Sequence, residues 1–557
     1  MSEKKNRLIG RTFSGNKVPL ITKIIYPWSG IFRDACYALV GSFLLTYAMY
    51  SGVLSSDAAE YTQQLAVINT AMIIALIWDG INDPIMSLIV EKFHFKSGKY
   101  RPWILIGAIG NAIAVMCLFL IRPGNGWAFV GVMIGFYVLW DTFFTMNDIG
   151  YWSMLPSLTN DPKERASITT SVTVATSIGA FLMNILVFVL PGVLGQNTPL
   201  AYAVMAISIS ILFLVSQALI FFLCPEHERD VEQEEKSADT KLLDLFKIVG
   251  KNKELRSVVI AMFLYYIGSG LLTGIGVYYF HFAYGYHGQR GGLIATLLAA
   301  VYVIATVAAQ LFYPLMVKKL EKKRIVTICT GILVVSYLAF LFLVFPIFGE
   351  TPIAYNVGYN DLTAGMDLGS GLGLATGGTM WMIYVIAFIF FAASGVFYLA
   401  LIVMLQDAID YNEYKYGARQ EAVASAWRPL TVKISSAVQQ YGIRFLIFGV
   451  TGTIGAANAI STINSDKAAA EATGTKWTDA EYAQKLIDAG VPVTGHPGEL
   501  ALFGVLVVGI ILACFISAWA LLRFAYKIDD KFEAEIAKVL NERHAADAAK
   551  AEQTTAA

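Results

Sequence analysis

Asp79 and Asp83 stand four residues apart in the run LIWDGINDPIMSLIV. A helix places both carboxylates on one face, one turn from each other. The run is apolar enough to be embedded in lipid. A charge at the centre of a membrane helix costs about 2.5–3.5 kcal/mol on insertion scales. A second like charge one turn away adds to that cost unless a cation lies between the two or a proton neutralises one. The pair therefore reads as a cation site. Asn82 beside it and Thr145 from another apolar run offer further oxygen ligands. The set suits Na+, with Asp79 and Asp83 as its charged metal ligands, or a proton held on one carboxyl; the residues leave both open.

A second solute needs hydrogen-bond acceptors and a flat apolar surface. Asp34 and Asp148 supply the acceptors, and Trp152 lies one turn beyond Asp148. A carboxylate beside an indole suits a sugar, with hydroxyls on the acid and the C–H face on the ring. Lys433 is expected to balance Asp34 and Asp148 across a central cavity. Arg33 and Arg444 read equally well as snorkelling end residues or as functional groups, and Asp141 shares the apolar run of Thr145. Cation and sugar would be coupled if each favours the same closed arrangement, because each then tightens the other. Near the helix ends, Lys99, Arg101 and Arg419 are the bases, and Asp410 and Glu413 the acids, of an expected cytoplasmic gate.

These residues need membrane helices to hold them. The 557-residue chain is 56% hydrophobic and only 15% charged, with mean hydropathy +0.59; soluble domains carry about 25% charged residues. Spans of about 20 apolar residues fall at 30–54, 64–91, 102–121, 127–156, 165–192, 200–224, 256–283, 290–318, 324–347, 379–407, 422–454 and 500–524. Lys and Arg collect in the N-terminal tail, at 92–101, 163–165, 318–324 and 415–419, and in the C-terminal tail, whereas 51–63, 193–200 and 348–378 have none. That bias puts both termini in the cytoplasm. The expected organisation is a tail (1–29) and a six-helix bundle (30–224). A polar linker (225–255, with a short amphipathic helix at 242–249), a second six-helix bundle (256–524) and a tail (525–557) follow. The outer segment 348–378 is expected to have little order. The segment 455–499 is read either as a helical cap over the outer mouth or as an unstructured excursion. The first span reads as a retained helix, not a signal peptide. The five cysteines show no metal or redox spacing. The six histidines fall near span ends, in loops or in the tail, without HExxH or GxSxG, so no enzyme is expected. A net charge of +0 gives no reason to expect a nucleic-acid partner.

WDGINDPIMSLIV with SGKYRPWILIG, TMNDIGYWSMLPSLTNDPKER, and DAIDYNEYKYGAR with Lys433 downstream resemble the signature blocks of the glycoside–pentoside–hexuronide:cation symporters, the melibiose-permease-like branch of the major facilitators. The resemblance covers the whole twelve-span core. It implies an all-α membrane protein of two six-helix halves with the substrate at the midplane. It also implies that Asp79, Asn82, Asp83 and Thr145 match cation positions, and that Asp34, Asp148, Trp152 and Lys433 match sugar positions. The chain departs from it at Thr173, where the permease has an arginine in span five, and in the long outer segments. No regulatory phosphotransferase-like C-terminal domain is expected.

The expected function is import of a glycoside or short oligosaccharide with Na+ or H+ by alternating access. The expected protein is a monomer in the bacterial inner membrane, surrounded by lipid and without cofactor. The rivals are a cation-coupled lysolipid transporter of the same fold and a non-transporting sugar sensor.

Overall fold

The computed structural model describes residues 12–13, 18–93, 95, 97–124, 126–158, 162–195, 197–227, 250–284, 290–349, 352–354, 368–416, 427–491, 497–529, 531–536, 538–540 and 542. The expected helix at 242–249, Arg419 and the end of the tail lie outside them.

The first span is two helices, α1 (Leu20–Gly41) and α2 (Leu44–Tyr50), interrupted at residues 42–43. It starts at Leu20, inside the last third of the expected tail. Its first turns, LITKIIYP, fall in the expected tail because they follow closely on a basic stretch and include Lys23, yet Thr22 and Tyr26 are fully buried. Tyr26 stacks on Tyr151 at 4.5 Å and the two exchange hydroxyl-to-carbonyl hydrogen bonds. Then follow α3 (Ala58–Lys92), α4 (Arg101–Leu120), α5 (Gly126–Ser157), α6 (Pro162–Val193) and α7 (Thr198–Leu223). The Asp57 and Asn197 side chains cap α3 and α7 by accepting from the Glu60 and Leu200 amides. A two-residue parallel pair joins β1 (Thr12–Phe13) to β2 (Glu226–His227).

The second set is α8 (Lys253–Tyr284), α9 (Arg290–Val317), α10 (Lys322–Val344), α11 (Leu368–Thr376), α12 (Trp381–Tyr416), α13 (Trp427–Ala437), α14 (Arg444–Val450), α15 (Thr453–Ala472), α16 (Asp479–Asp488) and α17 (Pro497–Ala520). A π turn, Val438–Ile443, separates α13 from α14. Helices α1 to α7 pack mainly on one another, as do α8, α9, α10, α12 and α17. The two sets meet where α3 touches α13, α6 touches α9, and α2 touches α15.

Ten of these helices are long and apolar enough to cross a membrane. The two expected spans that fall short are the first and the eleventh. The first is broken and carries Arg33 and Asp34; the eleventh is cut by the π turn and carries Lys433, Gln439 and Arg444. Their charges dilute the hydropathy that identifies the other ten.

The segment expected as cap or excursion is a helical strap. Gly452, at φ 71°, turns the chain so that α15 leaves α14 at 95°; a side chain at that φ would be strained. Buried Asn464 on α15 donates to the Tyr50 carbonyl and accepts from the Tyr482 hydroxyl at 2.6 Å. Asn458 donates to the Ser55 carbonyl at 3.2 Å, buried Lys467 to the Gly195 carbonyl, and Asn197 to Glu471 at 2.7 Å. Gly52 lies under Ser465, where any Cβ would come within 2.7 Å of its Cβ. The strap thus joins the second set of helices to the loops after α2 and α6. Within the other outer segment, against expectation, residues Leu368–Thr376 form α11, a largely exposed short helix.

Candidate functional site

A cavity of about 300 Å³ opens between the two sets of helices. Helix α1 supplies Arg33, Asp34 and Tyr37; α3 supplies Asp79 and Asp83; α5 supplies Trp140, Asp141, Phe144, Thr145, Asp148 and Trp152; α13 supplies Lys433 and Ser436. The α5 residues recur at 141, 145, 148 and 152, which is one helix face.

Lys433 lies 2.8 Å from Asp79 and also donates to Asp83. Thr145 donates to Asp79 at 3.1 Å. The lysine ammonium therefore occupies the place between the two carboxylates that a coupling cation would take. Asp141, buried, is close enough to interact electrostatically with Asp79, Lys433 and Asp83. Asn82 lies on the same helix; its amide nitrogen is buried with no hydrogen-bond partner among the described residues. No group of three or more His, Cys, Asp or Glu stands ready to hold a metal ion among those residues.

Across the cavity, buried Arg33 pairs with Asp34 at 2.6 Å and with Asp148. Its guanidinium lies over three rings, Tyr151 at 4.9 Å, Phe144 at 5.3 Å and Trp152 at 5.6 Å. The balancing of Asp34 and Asp148 expected of Lys433 is done by Arg33, because Lys433, on α13, faces α3. Tyr37, Trp140 and Phe144 form a continuous aromatic wall, with Tyr37 4.8 Å from Phe144 and 5.8 Å from Trp140.

Seven of the eight cation and sugar candidates thus line one cavity, all but Asn82. Arg33, Asp141 and the aromatic wall were not assigned to it from sequence. The signal was present: Arg33, Asp34 and Tyr37 share one turn of helix, and Asp141 precedes Thr145 by four residues.

The gate candidates lie at helix ends. Lys99 sits over the Tyr100 ring at 5.4 Å. Arg101 is buried and donates to the Ser97 carbonyl at 2.5 Å and the Phe221 carbonyl at 3.4 Å, tying α4 to α7. Glu413 is buried and Asp410 half-buried on the last turns of α12. Nearby, Lys322 joins Asp407 at 2.6 Å to Glu533 at 2.5 Å, and the Tyr526 hydroxyl donates to Asp407 at 3.3 Å. That network, buried at Lys322 and Asp407 and open to solvent at Glu533, fastens the C-terminal segment to α10 and α12.

The family model for MFS/sugar transport proteins matches residues 34–477. The chain is 22% identical over 453 residues to the raffinose carrier protein of Pediococcus pentosaceus, covering 79% of this chain and 63% of that one. It is 26% identical over 471 residues to the lactose permease of Leuconostoc lactis, covering 81% and 66%. It is 22% identical over 430 residues to the isoprimeverose transporter of Lactiplantibacillus pentosus, covering 76% and 79%. The chain thus spans slightly under two thirds of the raffinose carrier and lactose permease. In fold it is similar to a bacterial homologue of the human lysosomal transporter Spinster in an inward-facing, unoccupied conformation. The TM-score is 0.51 at 13% identity, covering 91% of this chain and 96% of that one.

Proposed function

Because the chain belongs to the MFS/sugar transport protein family, we propose that it imports a glycoside or short oligosaccharide by symport with Na+ or H+. The single observation that carries the reading is Lys433 held between Asp79 and Asp83, in the same cavity as an acid-and-aromatic surface fit for a sugar.

Asp79, Asp83 and Thr145 form the cation site, with Asn82 behind them. Lys433 is the tethered counter-ion that neutralises the pair in the absence of the coupling cation. An arriving Na+ or proton releases Lys433 from part of that duty and lets α13 move relative to α3. The sugar lies against Trp152 and takes hydroxyl contacts from Asp34 and Asp148, whose orientation Arg33 fixes. Because Asp141 and Thr145 share the face of α5 that carries Asp148 and Trp152, cation and sugar act on one rigid element. Each ligand then favours the same arrangement, which is the requirement for coupling.

Alternating access follows from rocking of the 30–224 bundle against the 256–524 bundle, across linker 225–255. Lys99, Arg101, Asp410, Glu413 and Arg419 serve at the cytoplasmic mouth and the 453–491 strap at the outer one. The protein works as a monomer in a bacterial inner membrane, with both termini inside.

The test is uptake of a labelled glycoside panel, including lactose, raffinose and isoprimeverose, into vesicles with imposed Na+ or H+ gradients. Accumulation of one sugar with one gradient is expected. If no sugar accumulates with either, the reading fails.

A further inference from the structure

A second, smaller chamber of about 200 Å³ lies beside the first and shares Ser42 with it. Its walls come from the break at residues 42–43, α2, α6, α8 and the segment from the π turn into α14. Its charged lining residue is Arg444, only 3% exposed. A guanidinium keeps its charge at any physiological pH, so burial cannot be relieved by loss of a proton.

The other cations of the cavities are each held by two carboxylates: Arg33 by Asp34 and Asp148, Lys433 by Asp79 and Asp83. Arg444 has neutral partners. It donates to the Tyr278 hydroxyl at 3.1 Å and the Gly274 carbonyl at 3.2 Å. The Tyr278 hydroxyl also shares a hydrogen bond with the Thr46 hydroxyl, 2.7 Å away across the two sets of helices. The Arg444 Nε is buried with no hydrogen-bond partner, and the side chain has no acidic partner, among the described residues.

The room around it is built. A Cβ on Gly270 or Gly274 would come within 2.5 or 2.6 Å of the Gln439 amide, which donates to the Gly270 carbonyl. These two glycines, one turn apart on α8, leave a channel of bare backbone in which Gln439 and Arg444 lie. The π turn that carries Gln439 is a local distortion of the kind found at functional sites.

The two chambers also differ in sign. The first has five carboxylates against two cations; the second has a guanidinium and no carboxylate among its described lining residues. A negative group is repelled from the first and attracted to the second.

We propose that the Arg444 chamber is an anion-binding site, which takes either a carboxylate carried on the transported saccharide or a small inorganic anion. Arg444 supplies the charge: its guanidinium lines the chamber and no carboxylate lines it among the described residues. The saccharide source rests on the sugar-transport reading; the inorganic source does not.

The test is thermal melting of the full chain in detergent, in a chloride-free bulky sulfonate buffer, titrated with sodium glucuronate or sodium chloride. Sodium sulfonate with glucose is the control for ionic strength and for the neutral sugar. A saturable rise in melting temperature is expected with at least one anion. In Arg444→Gln the apparent affinity should fall by at least about tenfold, the loss of one charge-assisted hydrogen bond. Saturation by glucuronate alone assigns the site to a saccharide carboxylate; saturation by chloride assigns it to an inorganic anion. No saturable rise with either in the wild type overturns the proposal, as does an unchanged response in Arg444→Gln. If that variant does not fold, Gly274→Val, which intrudes on the chamber and keeps the arginine, must lose the response. Neutral glycoside binding in the same assay reports the first chamber separately. A chloride response with neither glycoside nor glucuronate binding would overturn the sugar reading and leave the inorganic-anion site standing.

Discussion

The ammonium of Lys433 on α13 lies 2.8 Å from the Asp79 carboxylate on α3, and the same ammonium pairs with Asp83. One side chain of the second set of helices thus neutralises both intramembrane acids of the first. The contact is an ion pair across the seam between the two sets, the seam that opens and closes in the proposed cycle.

Asp83→Asn removes one of the two charges of the proposed cation site. Gradient-driven accumulation is expected to fall by more than about tenfold, the effect of one lost ionic contact, while exchange without a gradient survives. Vesicle uptake with and without an imposed gradient measures both. Accumulation at the wild-type level would place the coupling ion elsewhere.

Lys433→Gln leaves Asp79 and Asp83 facing each other uncompensated. Breaking a fully buried pair costs about 3–5 kcal/mol. Lys433 is 26% exposed, so a smaller loss of about 1–2 kcal/mol is expected, again scaled from buried pairs. Part of it should return as Na+ is added or the pH is lowered, since either replaces the missing positive charge. Melting curves across a Na+ series and a pH series would show this; a variant insensitive to both would contradict the counter-ion role.

Arg33→Gln frees Asp34 and Asp148 from their shared partner. Glycoside binding should weaken by about tenfold or more, and Arg33→Lys should not restore it, because a single ammonium does not reproduce the fork that reaches two carboxylates. Isothermal titration in detergent gives the affinities directly. Full rescue by lysine would show that only the charge matters.

Asn464→Ala removes a buried bridge between α15 and the end of α2. A cost of about 1–3 kcal/mol is expected from the donors and acceptors it strands. Faster amide exchange at residues 44–57 should accompany it, with residues 101–120 unchanged. Exchange that rises equally everywhere would point to global destabilisation in place of a loosened outer strap.

Helix α16 offers a pH test outside the membrane. The Thr478 backbone amide and hydroxyl donate to Glu481 and hold its carboxyl below the ordinary value of 4.5. A carboxyl with a depressed value in the folded protein stabilises above its unfolded value and loses that effect as pH falls through the folded one. Amide protection of residues 479–488 should therefore drop below about pH 4.5, and Glu481→Gln should remove the pH dependence. A pH response that persists in the variant would reject the capping box as its source.

The sequence by itself determined the membrane class, ten of the spans and most of the cavity. Apolar runs of fixed length are a local property, and so is the one-turn spacing of Asp79 with Asp83 or Asp148 with Trp152. Two charged groups on one helix face point the same way whatever that helix packs against. The first and eleventh spans, also expected from the sequence, stand as broken helices whose charges lower the hydropathy that marks the other ten. Only the tertiary structure decided which cation serves which acid. Lys433 and Arg33 are each near several carboxylates in any plausible packing; the rotation of α13 toward α3 sends one to Asp79 and Asp83, and the other to Asp34 and Asp148. It also decided that 453–491 is a strap, because Asn464, Lys467 and Glu471 find their partners more than 250 residues away. Arg444 was singled out early, but that it lies buried against neutral groups follows from the bare backbone at Gly270 and Gly274. Long-range pairing and shared space depend on how helices pack, and no spacing within one helix encodes them.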